Sequence, residues 1–306
     1  MPSASSAAVL APRTLEEASA ALAAATAEGR RVHIGRDLVT DGLTRVLEHE
    51  PGDLTCTVEA GITLSALAAE LAPHGRRLSL DPPGDPTVGA CLAASLSGPL
   101  RHAFGAPRDL VLGVTLVLSD GTVASAGGKV VKNVAGYDLG RLVCGSRGTL
   151  ALVVRASLRL HPVPAARRTL LVETADPPAV VRALLDTQLQ PSALDVLHPG
   201  RVAVLFEGGE AGAEAQLERA RALVGGRPAG EEVWDEARLR QGAARGILRF
   251  PPGELAAALD GVPEAVVRPA AGVAYVPSET ESSLSPGARL LQRAVKERFD
   301  PAGTLV

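Results

Sequence analysis

The chain has 306 residues, 46% hydrophobic and 21% charged, which is the mix of a folded globular protein rather than a disordered one. A net charge of −3, no Lys/Arg block, and only four Phe, two Tyr and one Trp argue against nucleic acid as a partner. No run approaches the roughly 18 apolar residues that suggest a membrane span. The first seventeen residues lack a basic lead and meet Glu16 and Glu17 early, so no secretory leader is expected.

Thr14-Leu15-Glu16-Glu17 reads as a capping box opening an Ala-rich helix that runs to Gly29. Residues 31–35 read as a short strand. Leu54, Cys56, Val58 and Ala60 alternate with polar residues, predicting a half-buried strand that ends at Gly61. Leu64, Leu67, Ala68 and Leu71 follow the i, i+3, i+4, i+7 rule of an amphipathic helix closed by Gly75. Residues 110–118 form a β-branched apolar run stopped by Ser119-Asp120-Gly121, a hairpin signal. The alternation from Leu150 to Leu160 predicts another strand, the clearest in the sequence.

His161-Pro162-Val163-Pro164 breaks this pattern and marks the expected end of a first domain, residues 1–164. Strands are expected at 170–173, 193–197, 202–207, 265–268 and 273–276. Helices are expected at 179–189, 213–224 and 231–245. That order predicts a second α+β domain with antiparallel strands, residues 165–285. After a polar loop at 278–287, a helix at 288–299 belongs to a closing segment, 286–306.

Glycine and proline are enriched, 32 and 23 residues, and many glycines fall between Gly61 and Gly148. In Asp81-Pro82-Pro83-Gly84-Asp85-Pro86-Thr87-Val88-Gly89-Ala90 a Pro/Gly loop feeds a small-residue helix. Free N–H groups at such a helix start suit a pyrophosphate, and glycines let backbone approach a ligand. A tight turn with a close helix–sheet contact accounts for the same residues. The second cluster, Lys132-Asn133-Val134-Ala135-Gly136-Tyr137-Asp138, reads either as donors for an electron-rich ligand or as a solvated loop before a helix. Neither is a Walker A motif. Cys56, Cys91 and Cys144 lie far apart without CxxC spacing, which predicts a reducing cytoplasm and no disulfide, iron–sulfur or zinc site.

Together, residues 54–164 resemble the FAD-binding domain of the vanillyl-alcohol-oxidase-like flavoproteins, the PCMH-type fold. Within it they are most similar to the E-type subunits of bacterial glycolate oxidases. The resemblance rests on residues 81–98 and 101–105, on Lys132-Asn133-x-x-Gly136-Tyr137-Asp138-Leu139, and on Gly145-Ser146-x-Gly148-Thr149-Leu150. The ending Val295-Lys296-Glu297-Arg298-Phe299-Asp300-Pro301-Ala302-Gly303 is also similar to that family's C-terminus. It implies an α+β fold, a PCMH-type FAD-binding domain of two subdomains plus a reduced cap. It further implies non-covalent FAD surrounded by Pro83, Gly84, Thr87, Val88, Gly89, Ser97, Gly98, Arg101 and Gly105. Gly148 and Val153 would line it from the second subdomain, with Lys132 and Asn133 close by.

The sequence departs from the family where a glycine run after the first strand would wrap the FAD pyrophosphate. Here that place reads His33-Ile34-Gly35-Arg36-Asp37-Leu38-Val39-Thr40-Asp41-Gly42, shorter and poorer in glycine, where Asp37 would bring negative charge toward the phosphates and Arg36 could offset it. Ala90 and Ser95 also replace the usual Gly and Asn.

The function implied is that of an FAD-binding subunit of a glycolate-oxidase-like 2-hydroxy-acid oxidoreductase. It would pass electrons via flavin beside a catalytic FAD subunit and an iron–sulfur subunit. Such a complex is expected in the cytoplasm, reaching the inner membrane only through partners. A scaffold with a degenerate flavin site and a self-sufficient dehydrogenase are the other arrangements. Against the last, no two of His33, His49, His74, His102, His161 and His198 have metal-ligand spacing, and no catalytic residue is assigned.

Overall fold

The computed structural model describes residues 9–128, 137–280 and 284–306. In chain order the first part carries α1 (Leu15–Ala27), β1 (Val46–Glu50), β2 (Thr55–Glu59), α2 (Leu64–Leu71) and β3 (Arg76–Arg77). Then come α3 (Val88–Ala94), α4 (Arg101–Phe104), α5 (Pro107–Leu110), β4 (Val111–Val117), β5 (Val123–Gly127), α6 (Leu139–Val143), β6 (Leu152–Arg159) and β7 (His161–Pro162). The second part carries β8 (Ala166–Glu173), α7 (Pro177–Leu185), β9 (Ala193–His198), β10 (Arg201–Gly208), α8 (Glu210–Val224) and β11 (Arg227–Ala229). It ends with α9 (Glu232–Ala243), β12 (Gly246–Arg249), α10 (Leu255–Ala258), β13 (Ala265–Arg268), β14 (Val273–Val276) and α11 (Pro286–Phe299).

Two antiparallel sheets organise these elements. The first has the order β1-β2-β6-β4-β5 and the second β11-β8-β10-β9-β13-β14-β12. The chain passes from the first to the second between Arg159 and Ala166, and β3 and β7 pair with each other in a short ladder of their own. α1 forms because Thr14 Oγ1 accepts the Glu17 N–H while the Glu17 carboxylate accepts from Arg13, closing the first turn. Its Ala18, Leu22 and Ala25 are fully buried against Val117, Leu152 and Val154 of the first sheet. α2 and α3 cover a second core around Val58, Leu67, Leu92 and Leu158.

Strand alternation gives the second sheet two apolar faces. Leu170, Val172, Leu194 and Val196 pack with Leu184 of α7 and Leu217 of α8. Leu171, Leu197, Leu205 and Val266 face the other way, against Trp234 and Ala237 of α9 and against Leu100 and Phe104 from the first part. The buried Trp234 indole N–H finds Thr169 Oγ1 at 2.9 Å.

Residues 31–35 are not a strand. Val32 bridges Leu305 of the C-terminal tail, and Ile34 folds back on Leu38 in a tight turn. β1, β5, β12 and α10 lack a sequence signal strong enough to predict them, being short and largely exposed or irregular in pattern.

Candidate functional site

In the stretch from Ile62 to Gly105, α2 and α3 each start at a capping threonine, and the two threonines, Thr63 and Thr87, bridge one another. Thr63 caps α2 by accepting from Ala66, and Asp85 holds both the backbone N–H and the hydroxyl of Ser65. Thr87 caps α3, its Oγ1 accepting from Ala90 at 3.1 Å and its carbonyl from Cys91 at 3.0 Å. The Val88 N–H is bonded to Ile62 O at 2.9 Å and that of Gly89 to Ala60 O at 2.7 Å. The four N–H groups of the first turn of α3 are therefore all taken within the chain. The free donors expected there from the sequence are absent, because the helix start is stitched to the end of β2.

The glycines separate by what they face. A β-carbon on Gly98 would lie 1.8 Å from Asp81 O, so its bareness admits the chain's own backbone. On Gly148, at φ +78°, it would lie 2.8 Å from Ile34 Cβ. On Gly89 it would meet Ala60 at 3.0 Å, and on Gly105 the Asp109 carboxylate at 2.7 Å. Gly84 alone among these five faces open space. Val88 and Val153 are core residues, 1% and 5% exposed.

Pro83 and Gly84 line an open groove of about 960 Å³, whose other walls are Leu64, Asp81, Arg238 and Leu239. Gly242 of α9 lets the two sides approach, since a β-carbon there would sit 3.2 Å from Pro83 Cβ.

Ser97, 1% exposed, lies in the seam between the two sheets. Its carbonyl accepts from Gln241 Nε2 at 2.8 Å and Arg268 Nη1 at 3.4 Å, and its hydroxyl from Arg101 Nη1 at 3.4 Å. Arg268 also donates to Gln241 Oε1 at 2.6 Å and lies over the Tyr275 ring, 4.9 Å from its centroid. Arg268 Nε stands 3.6 Å from Asp195 Oδ1, and neither carboxylate oxygen of Asp195 has a hydrogen-bond partner. Burial pushes Asp195 up to about 6 against the pull of Arg268. Burial likewise pushes Asp81, which accepts from Leu100 N and lies 3.6 Å from Arg238, up to about 7. Burial above all, with the charges of Arg268 and Arg249 nearby, holds the Arg101 guanidinium below its ordinary value.

The turn from His33 to Leu38 is closed by a side chain. Asp37 Oδ2 accepts the His33 N–H at 2.8 Å, and the carboxylate takes Arg36 Nε at 2.9 Å and Nη2 at 3.1 Å. The Gly35 N–H goes to Leu38 O at 2.7 Å. Arg36 first, then the His33 N–H, holds the Asp37 carboxyl well below the usual carboxylate range. Sequence reasoning placed an acid here but not its use, since nothing in the order of residues says that a carboxylate will bond backwards.

Lys132 and Asn133 lie outside the described residues. Just after them Asp138 caps α6, accepting from Arg141 N at 3.0 Å. Cys91 is buried and Cys144 half-buried, and burial pushes both thiols up to about 12. Among the described residues no group of three or more His, Cys, Asp or Glu is placed to hold a metal ion. None of the described helices is long and apolar enough to cross a membrane.

Residues 37–127 match a protein family described as FAD binding domain. The chain is 33% identical over 201 residues to glycolate oxidase subunit GlcE of Escherichia coli K12, covering 64% of this chain and 56% of that one. It is 32% identical over 176 residues to glycolate oxidase subunit GlcD of Bacillus subtilis 168, covering 56% of this chain and 37% of that one. It thus spans less than two thirds of the length of either relative. A solved alkyldihydroxyacetonephosphate synthase superposes with a TM-score of 0.74 at 15% identity, over 97% of this chain and 76% of that one, a likeness of fold.

FAD is the cofactor of this domain. At three of the places the sequence suggested for its diphosphate, the donors or the space are already used within the chain. The amides at the start of α3 are taken, Ile34 covers Gly148, and the Asp37 carboxylate already holds the donors of the 33–38 turn.

Proposed function

We propose that this chain, residues 37–127 of which match an FAD-binding domain, is the accessory FAD-domain subunit of a glycolate-oxidase-like complex. The complex would oxidise a 2-hydroxy acid, with a longer flavin subunit and an iron–sulfur subunit beside this chain. The observation that carries this reading is the alignment with the E. coli subunit, which runs over 64% of the chain. Oxidising a hydroxy acid calls for a base aimed at the hydroxyl proton, and among the described residues no group of three or more His, Cys, Asp or Glu is placed to hold a metal beside one.

Within this reading Pro83 and Gly84 are the residues that meet a ligand directly, at the open groove. Thr87, Val88, Gly89, Ser97, Gly98, Gly105, Gly148 and Val153 act as frame, holding loops against one another. Arg101 joins the frame through the Ser97 hydroxyl.

The test is co-expression of the tagged chain with a longer homologous flavin subunit and a Cys-rich subunit, followed by affinity purification. Co-purification, with glycolate-dependent dye reduction by the complex and none by the chain alone, is the expected result. A chain that elutes alone under these conditions overturns the proposal. A scaffold role with no flavin is the second reading, and the closed 33–38 turn favours it.

A further inference from the structure

We propose that the 33–38 turn is a self-occupied anion site, in which Asp37 and Ile34 fill the place of the FAD diphosphate, so that FAD binds only by displacing them. This rests on the FAD-domain reading, whose resemblance gives the 33–42 segment to the FAD diphosphate; the matched segment, residues 37–127, includes Asp37 and leaves His33, Ile34 and Arg36 just before it. The His33 main-chain N–H, Arg36 Nε and Arg36 Nη2 converge on one carboxylate at 2.8 to 3.1 Å, and the His33 ring Nδ1 lies 3.1 Å from its Oδ2. A backbone amide beside a guanidinium fork is the donor set that recognises a phosphate oxygen pair. Here the pair of oxygens comes from within the chain.

Ile34 of the same turn seats on a second loop, at Gly148. Gly148 adopts φ +78° in the turn that follows α6, and Ile34 Cβ, Cδ1 and Cγ2 all lie within 3.4 Å of where a β-carbon on Gly148 would stand. Ile34 is half-buried in the cluster of Ala18, Leu22 and Leu38, so its seat on Gly148 continues the core beneath α1. The two loops that a dinucleotide would separate are in contact. The carboxylate on one of them would also stand as a like charge beside any phosphate that entered.

The prediction concerns competition rather than chemistry, and its readout is binding. The full-length apoprotein is titrated with FAD, with ADP (the diphosphate without a flavin ring) and with riboflavin (the ring without phosphate). The titrations are followed by flavin fluorescence and calorimetry. Asp37→Asn keeps an acceptor for the His33 N–H and removes the charge. It is expected to tighten FAD and ADP alike by about tenfold while leaving riboflavin unchanged. Ile34→Ala removes the cover from Gly148 independently of charge and is expected to tighten the same two ligands, so it decides the matter if Asp37→Asn does not fold.

Wild-type protein that binds FAD with an affinity neither variant improves overturns the plug and leaves the FAD-domain reading standing. If FAD and ADP bind neither the wild type nor either variant, the FAD-domain reading fails and the plug falls with it. Tightening of riboflavin together with FAD would assign the effect to the groove and overturn the proposal.

Discussion

Arg77 of β3 meets Glu207 of β10 in a two-pronged ion pair, Nη1 to Oε1 at 2.8 Å and Nη2 to Oε2 at 2.6 Å, tying the short β3–β7 ladder to the second sheet. Glu207 is 4% exposed and takes Arg167 as well, and the Arg77 guanidinium lies 5.2 Å from the centre of the Phe104 ring. Burial works against the Glu207 charge, but Arg77 and Arg167 outweigh it and the carboxyl sits below its ordinary value.

Removing Arg77 leaves the buried Glu207 with Arg167 as its one remaining ion-pair partner. Arg77→Met is expected to lower the stability of the chain by about 3 kcal/mol in urea unfolding, and Arg77→Met with Glu207→Leu to recover much of that loss. An Arg77→Met variant as stable as the wild type would show that the pair contributes nothing to holding the sheets together.

The seam also carries a pH dependence of the opposite sign. Asp195 and Asp81 are raised to about 6 and about 7, so the folded chain binds protons that the unfolded chain has released. Their contribution is full below the ordinary carboxylate value near 4 and is lost as pH rises through 6 to 7. Wild-type stability relative to Asp195→Asn should therefore fall by about 2 kcal/mol between pH 4 and pH 8. Unfolding curves of both proteins across that range check it, and parallel pH profiles would refute it.

Glycine substitutions separate frame from ligand contact. Gly98→Ala drives a methyl into the Asp81 carbonyl and is expected to destabilise by more than about 3 kcal/mol. Gly148→Ala combines φ +78° with a collision against Ile34 and should cost about 2 kcal/mol. Gly84→Ala meets open space, leaving only backbone strain of about 1 kcal/mol at φ +71°. Thermal melts of the three variants test the order, and a Gly84 variant as damaged as Gly98 would contradict it.

At the C-terminus the buried Asp300 carboxylate accepts from Thr304 and Leu305 N–H groups and from Lys296, whose ammonium also donates to Thr149 O at 2.7 Å. Asp300→Ala should release the tail that bridges Val32 and destabilise by about 3 kcal/mol. Limited proteolysis near residues 300–306 reads the release directly, and protection equal to the wild type would contradict it.

The strand at Leu152–Arg159 could be read from the sequence because it is paired on both sides and its alternation is not interrupted by exposure. In the second antiparallel sheet the five strands paired on both sides, β8, β9, β10, β13 and β14, were legible for the same reason, and the edge strands β11 and β12 were not. Residues 31–35 were not, since a short apolar alternation fits a strand or a turn equally. The choice fell to Asp37, whose side chain bonds backwards to His33. For Gly98 and Gly148 the sequence shows that a side chain is missing but not what fills the space. Gln241 and Arg268 carried no signal as seam residues, because their common partner is a main-chain carbonyl 144 and 171 residues away.

Leu100 and Phe104 belong to the first part of the chain, yet they complete one apolar face of the second sheet beside Trp234. Swinging the halves apart would expose that face to water, so wholesale hinge opening is an expensive route for anything entering the molecule. Traffic of small molecules is better served by rearranging a few surface bends. The rates of such exchange should then depend on loop composition and hardly at all on overall stability.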